Sequence, residues 1–134
     1  VGAFLGSIFV LFAIGDYANL GTNTPDISYP LGAIFGYEVI ASIFLMGVIY
    51  IVVHFKKLGM LTGIAIGGII AIDVLLFGEI SGASMNPIRS LAPAIISGTT
   101  NDLWLYWTTP FIGMLITAAI FKSLSKRTKN TSSH

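Results

Sequence analysis

The chain has 134 residues, of which 54% are hydrophobic and 10% charged, with a formal net charge of +1 and no cysteine, and its mean hydropathy is +0.86. Soluble domains carry about a quarter charged residues, so this composition excludes an ordinary soluble fold and points to a membrane protein. The lack of cysteine removes disulfides and thiolate metal sites from consideration, and so small a net charge gives no footing for nucleic acid.

In chain order, residues 1–15 are apolar but fall short of the roughly 20 that a bilayer-crossing helix needs. They open in mid-pattern on VGAFLGSIF, without an initiating Met or the basic start of a signal peptide, so the sequence predicts the end of a helix within a longer polypeptide. A polar connector, DYANLGTNTPDISYP, follows at residues 16–30. Residues 31–53, 60–80 and 103–124 are then each long and apolar enough to span. The Gly2/Gly6 and Gly63/Gly67 pairs predict close helix packing.

The positions of the cations orient these spans. Lys56 and Lys57 lie between the first two full spans, and Lys122, Lys126, Arg127 and Lys129 lie in or after the last. Residues 16–30 and 97–102 contain no Lys or Arg. Because cytoplasmic loops carry the excess of Lys and Arg, the 56/57 connector and the C-terminus are expected inside and residues 16–30 outside. The sequon Asn130-Thr131-Ser132 then falls on the cytoplasmic side and is a chance match. His54, beside these lysines, reads as a plain interfacial histidine.

Between the last two spans lies SGASMNPIRSLAPA, residues 81–94, within an apolar connector broken by Gly82, Pro87, Pro93 and Gly98. An apolar segment too short to span is expected to re-enter. Asn86 is a strong N-cap and Pro87 fits the first helical position, so a short helix is predicted to start there, with Pro93 able to kink or stop it. Non-helical backbone at membrane depth, here residues 81–85, is tolerated where protein buries it or where it lines water. The N-terminus of this half-helix carries about half a positive elementary charge, and Arg89 is the lone cation of the hydrophobic region, so both disfavour cations. The carbonyls of Gly82, Ala83 and Ser84 are candidate acceptors for a passing solute, with the Asn86 amide as donor. Such a lane suits an uncharged molecule.

SGASMNPIRSLAPA resembles the second Asn-Pro-Ala signature of the major intrinsic proteins, the aquaporins and aquaglyceroporins, with Asn86, Pro87, Arg89, Ser90, Pro93 and Ala94 matching. GYEVIASIFLM is similar to that family's fourth helix with its buried acid, here Glu38, LTGIAIGGII to its fifth and LWLYWTTPFIGML to its sixth. The resemblance implies an all-α membrane protein, the second half of an aquaporin-like right-handed helical bundle: the end of helix 3, helices 4 to 6 and the re-entrant half-helix. Residues 1–124 would belong to the transmembrane domain and 125–134 to a cytoplasmic tail. The implied function is a passive channel for water and small neutral solutes that excludes ions and protons, with no enzymatic activity, cofactor or metal. Its setting would be a homotetramer, multi-pass in the cell membrane, with the lipid bilayer and the permeating solutes as its partners.

The resemblance also assigns roles. Val74, Ala83 and Arg89 would form the selectivity filter together with a residue of the family's second helix, Asn86, Pro87 and Ile88 would be the half-helix signature, and Glu38 a structural acid fixing the re-entrant loop. The SGASMNP wording and Val74 look closest to nodulin-like and bacterial glycerol and metalloid channels, so glycerol or neutral metalloid acids are expected alongside water. Tyr106-Trp107 looks instead like the pairing of water-selective members. Two departures stand out. Ile88 replaces the usual Ala, and only one Asn-Pro motif is present, which predicts about 100 further N-terminal residues carrying the other half of an inverted repeat. A secondary-transporter fragment also shows broken helices and buried acids, and a non-conducting structural subunit is a third reading.

Overall fold

The computed structural model describes residues 1–54 and 61–131, with side chains described as far as residue 126. Lys56, Lys57 and the Ser132 that completes the sequon lie outside the described residues, as does residue 60 at the predicted start of the second full span.

Among the described residues five α-helices are formed: α1 Gly2–Ile14, α2 Leu31–His54, α3 Thr62–Ser81, α4 Pro87–Ser97 and α5 Leu103–Thr131. Stretches Leu31–His54, Thr62–Ser81 and Leu103–Lys126 are long and apolar enough to cross a bilayer. Helix is the state such sequences must take in lipid, because it satisfies every backbone N–H and C=O within the segment. The fold is therefore that of an all-helical, multi-pass membrane protein. α5 continues through residue 124 to Thr131 without a break, so the basic stretch expected as a separate tail begins as a helical extension of the last span.

α2 is the central element, packed on α3 along one side and α5 along another, while α4 is held among α1, α5 and the connector ahead of α2. The tightest approach is at Gly113 of α5, where an added Cβ would lie 2.6 Å from the Val39 carbonyl oxygen and 2.6 Å from Ser42 Cβ. By contrast Gly2, Gly6, Gly63 and Gly67 have nothing within 4 Å of such a Cβ, so the close packing predicted at those pairs falls at Gly113 instead. The signal was missed because Gly113 has no glycine four residues away on its own helix, where Thr109 and Thr117 stand instead; its complement is α2, at Val39 and Ser42. A methyl group there must displace main chain, so Gly113→Ala is expected to cost about 1–3 kcal/mol. Thermal unfolding in detergent measures this, and an unchanged midpoint would contradict the packing.

The connector ahead of α2 is folded rather than loose. Ala18, Asn19 and Leu20 all adopt left-handed φ values of 49, 49 and 56°, in a turn closed by Leu20 N–H to the Tyr17 carbonyl at 3.1 Å and Thr22 N–H to the Asn19 carbonyl at 3.0 Å. Further on, Asp26 N–H donates to the Ile80 carbonyl at 3.0 Å. Ser28 N–H donates to Asp26 Oδ1 at 2.9 Å, which holds this exposed carboxyl below its ordinary range.

Candidate functional site

The site grows from the backbone of residues 81–86. α3 ends at Gly82 in the left-handed region, and Ala83 and Met85 also take positive φ values of 43 and 55°. For residues with a Cβ this conformation costs roughly 1–2 kcal/mol each, so surrounding contacts must enforce it. Glu38, fully buried on α2, does so. Its Oε1 accepts from Ser81 Oγ at 2.9 Å and from Ser84 N–H at 2.9 Å, and its Oε2 accepts from Met85 N–H at 3.3 Å. One carboxylate therefore satisfies donors that no helix can reach. Tyr106, buried on α5, donates its hydroxyl to the Ser81 carbonyl at 2.7 Å, and a Cβ on Gly82 would lie 2.8 Å from that hydroxyl oxygen.

The half-helix starts as its sequence predicts. Asn86 has extended backbone, its side chain accepts from Ile88 N–H at 3.0 Å, and Pro87 occupies the first turn. Pro93 does not stop the helix, which ends at Gly98 in the left-handed conformation. Ser84 Oγ donates to the Asn86 carbonyl at 2.9 Å and shares a short hydrogen bond with Ser90 Oγ. The non-helical stretch and the first turn of α4 are thereby tied together.

Asn23, from the connector between α1 and α2, is the residue that sequence reasoning missed. Its Oδ1 accepts from Arg89 Nη1 and from Ser90 Oγ at 2.9 Å, while its Nδ2 donates to the Gly82 carbonyl. Both ends of one amide thus hold the arginine and the left-handed turn at once. Thr22 Oγ1 adds a hydrogen bond shared with Ser97 Oγ at 3.1 Å, near the far end of α4. A cavity of about 450 Å³ opens beside this clamp, lined in part by Asn19, Thr22, Gly78, Gly82 and Arg89.

The expected filter residues are distributed unevenly. Val74 on α3 is 43% exposed and Ile88 on α4 is 46% exposed, whereas Ala83 is fully buried in a cluster with Ala41, Leu45 and Met85. Arg89 and Asn86 are exposed, and Ser84 is buried. Of the carbonyls expected to face a solute, that of Gly82 accepts from Asn23, and Ala83 and Ser84 are enclosed. Val74, Asn86, Ile88 and Arg89 therefore present open surface, whereas Ala83 and Ser84 are buried.

Asp73, next to Val74, is fully buried, and among the described residues neither carboxyl oxygen has a hydrogen-bond partner. It lies within electrostatic reach of Glu38. Leaving a buried polar group unpaired costs about 1–3 kcal/mol, more if it is charged. Asp73→Asn, which removes the charge while keeping the shape, is expected to raise stability by about 1 kcal/mol. A lower thermal midpoint in detergent would show that the carboxyl has a partner. Among the described residues no group of three His, Asp or Glu side chains could hold a metal ion.

A membrane bundle in which α3 gives way at Gly82 to a non-helical stretch, braced by a buried acid and followed by an Asn-capped half-helix carrying an arginine, defines a class, and the family comparison agrees. The Major intrinsic protein family model matches residues 1–121, and the chain belongs to that family. Among curated relatives it is 36% identical over 132 residues to "Probable aquaporin NIP7-1" of Arabidopsis thaliana, covering 96% of this chain and 47% of the relative. It is 49% identical over 96 residues to "Aquaporin NIP3-1" of Arabidopsis thaliana, covering 71% of this chain and 30% of the relative. With "Probable aquaporin TIP2-2" of Oryza sativa subsp. japonica it shares 34% identity over 127 residues, covering 91% of this chain and 49% of the relative. The chain thus spans at most about half the length of these relatives.

Proposed function

We propose that this chain forms one half of the wall of a passive membrane channel for water and small uncharged solutes. The observation that carries the reading is the half-helix Pro87–Ser97, capped by Asn86 and presenting Arg89 under the clamp of Asn23. The positive helix end and the guanidinium raise the local potential, so a cation or a hydrated proton meets a barrier that a neutral solute does not. The relatives named as aquaporins support the class of function. Glycerol and neutral metalloid acids enter the proposal through Val74, a small apolar side chain with open surface.

In this reading Val74 and Arg89 face the narrowest place, Ala83 leaves width behind them because it is small, and the opposite wall comes from other residues of the native polypeptide. The carbonyls of Gly82, Ala83 and Ser84 serve in this reading as acceptors for the solute, that of Gly82 while also accepting from Asn23. The assembly is a homotetramer with its C-terminus in the cytoplasm, the side on which Lys122 and Lys126 are expected. Charge exclusion is tested with vesicles holding the full native polypeptide and a pH-sensitive dye. The unmodified protein should pass water with no proton leak above that of empty vesicles, and Arg89→Val should leak. Equal proton leak in both proteins would count against the reading.

A further inference from the structure

On the flank of the α2–α5 seam, at the end away from the half-helix, lies a cavity of about 400 Å³ that the channel reading does not use. Met46 and Ala118 form its apolar floor, and Tyr50, Lys122, Ser125 and Lys126 stand around it. Its position is interfacial: α2 ends at His54, and Lys126 closes the apolar stretch of α5. Tyr50, which lines the cavity, is stacked behind it on two other rings, 3.8 Å from Phe121 between centroids and 5.6 Å from His54. Tyr50 is thereby fixed rather than free to swing across the opening.

Charge is what distinguishes this cavity from ordinary lipid-facing surface. Lys122 and Lys126 are one turn apart on α5, close enough to repel each other. The sequence of α5 contains no Asp or Glu, and the only acid of α2, Glu38, is committed to Ser81, Ser84 and Met85 near the other end of that helix. Neither framing helix can therefore neutralise the pair. Long lysine stems can lie along the apolar wall while their ammonium groups reach the headgroup level, where an anion can bridge them.

We propose that this cavity binds an anionic phospholipid, its phosphate between Lys122 and Lys126 and the start of its acyl chains against Met46 and Ala118. The combination selects a lipid over a free anion: the ammonium groups account for the phosphate, and the apolar floor beneath them accounts for the chains. The site is independent of what the channel conducts.

The test is native mass spectrometry of the full native polypeptide in detergent, titrated with phosphatidylglycerol or with phosphatidylcholine of the same chains. At about 1 kcal/mol of attraction per lysine, phosphatidylglycerol should bind about tenfold to thirtyfold more tightly. Lys122→Gln/Lys126→Gln should abolish the preference, and Lys122→Arg/Lys126→Arg should keep it. Equal binding of the two lipids by the unmodified protein would overturn the proposal, as would a preference that survives the glutamine pair. Complete displacement of phosphatidylglycerol by millimolar inorganic phosphate would also overturn it, since the apolar floor would then contribute nothing.

Discussion

Glu38→Ala is expected to collapse the site. Its carboxylate accepts from the backbone N–H groups of Ser84 and Met85, and Ser81 Oγ also donates to it. The serine has an alternative, because its hydroxyl already reaches the Phe77 carbonyl at 3.1 Å. The two amides have none among the described residues. At about 1–3 kcal/mol for each buried donor left without an acceptor, the substitution should cost about 2–6 kcal/mol. The left-handed backbone of Ala83 and Met85 would then lose what enforces it, and Arg89, in the first turn of α4, would lose its fixed position. Thermal unfolding in detergent should show a large fall in midpoint, and vesicle water flux should be lost. Glu38→Gln, which keeps one acceptor oxygen, should fall between. A Glu38→Ala protein as stable as the parent would exclude Glu38 as the brace of the turn.

Val74→His should shift selectivity from glycerol toward water. Val74 is small and apolar and keeps 43% of its surface open on α3; imidazole adds both bulk and a hydrogen-bonding nitrogen. Overpacking a tight wall costs on the order of 1–3 kcal/mol, which corresponds to roughly a fivefold to more than a hundredfold loss of glycerol flux. Water, being smaller, should lose much less. Stopped-flow shrinkage of vesicles in glycerol and in an impermeant osmolyte separates the two. An equal fall for both solutes would mean that Val74 does not face the pathway. No glycerol flux in the unmodified protein would make Tyr106-Trp107 the better guide to selectivity, although the hydroxyl of Tyr106 is committed to the Ser81 carbonyl.

What the sequence revealed and what it concealed follow from the range of the forces involved. The spans are written in continuous apolar runs, and the start of α4 in a local pair, Asn86 capping and Pro87 following, so both were legible. Glu38 was assigned through the family resemblance as the acid fixing the re-entrant loop, and its carboxylate accepts from Ser84 and Met85 there. Asn23 gave no such signal: it is one of two asparagines in a polar connector, and its importance depends on a fold that brings it to Arg89, 66 residues away. Gly113 was hidden likewise, since the steric demand on it comes from α2. The left-handed run at 18–20 has no glycine within it to announce it. Asp73 carries no local signal of its place either, and the structure puts it in the interior beside the exposed Val74.

The central claim is passive conduction of neutral solutes, and osmotic water permeability of vesicles containing the full native polypeptide tests it most directly. Shrinkage recorded by stopped-flow light scattering should be faster than in empty vesicles and should scale linearly with the imposed gradient. It should not saturate, and collapsing the sodium or proton gradient should leave it unchanged. A rate equal to that of empty vesicles, or one that saturates and follows an ion gradient, would contradict the account.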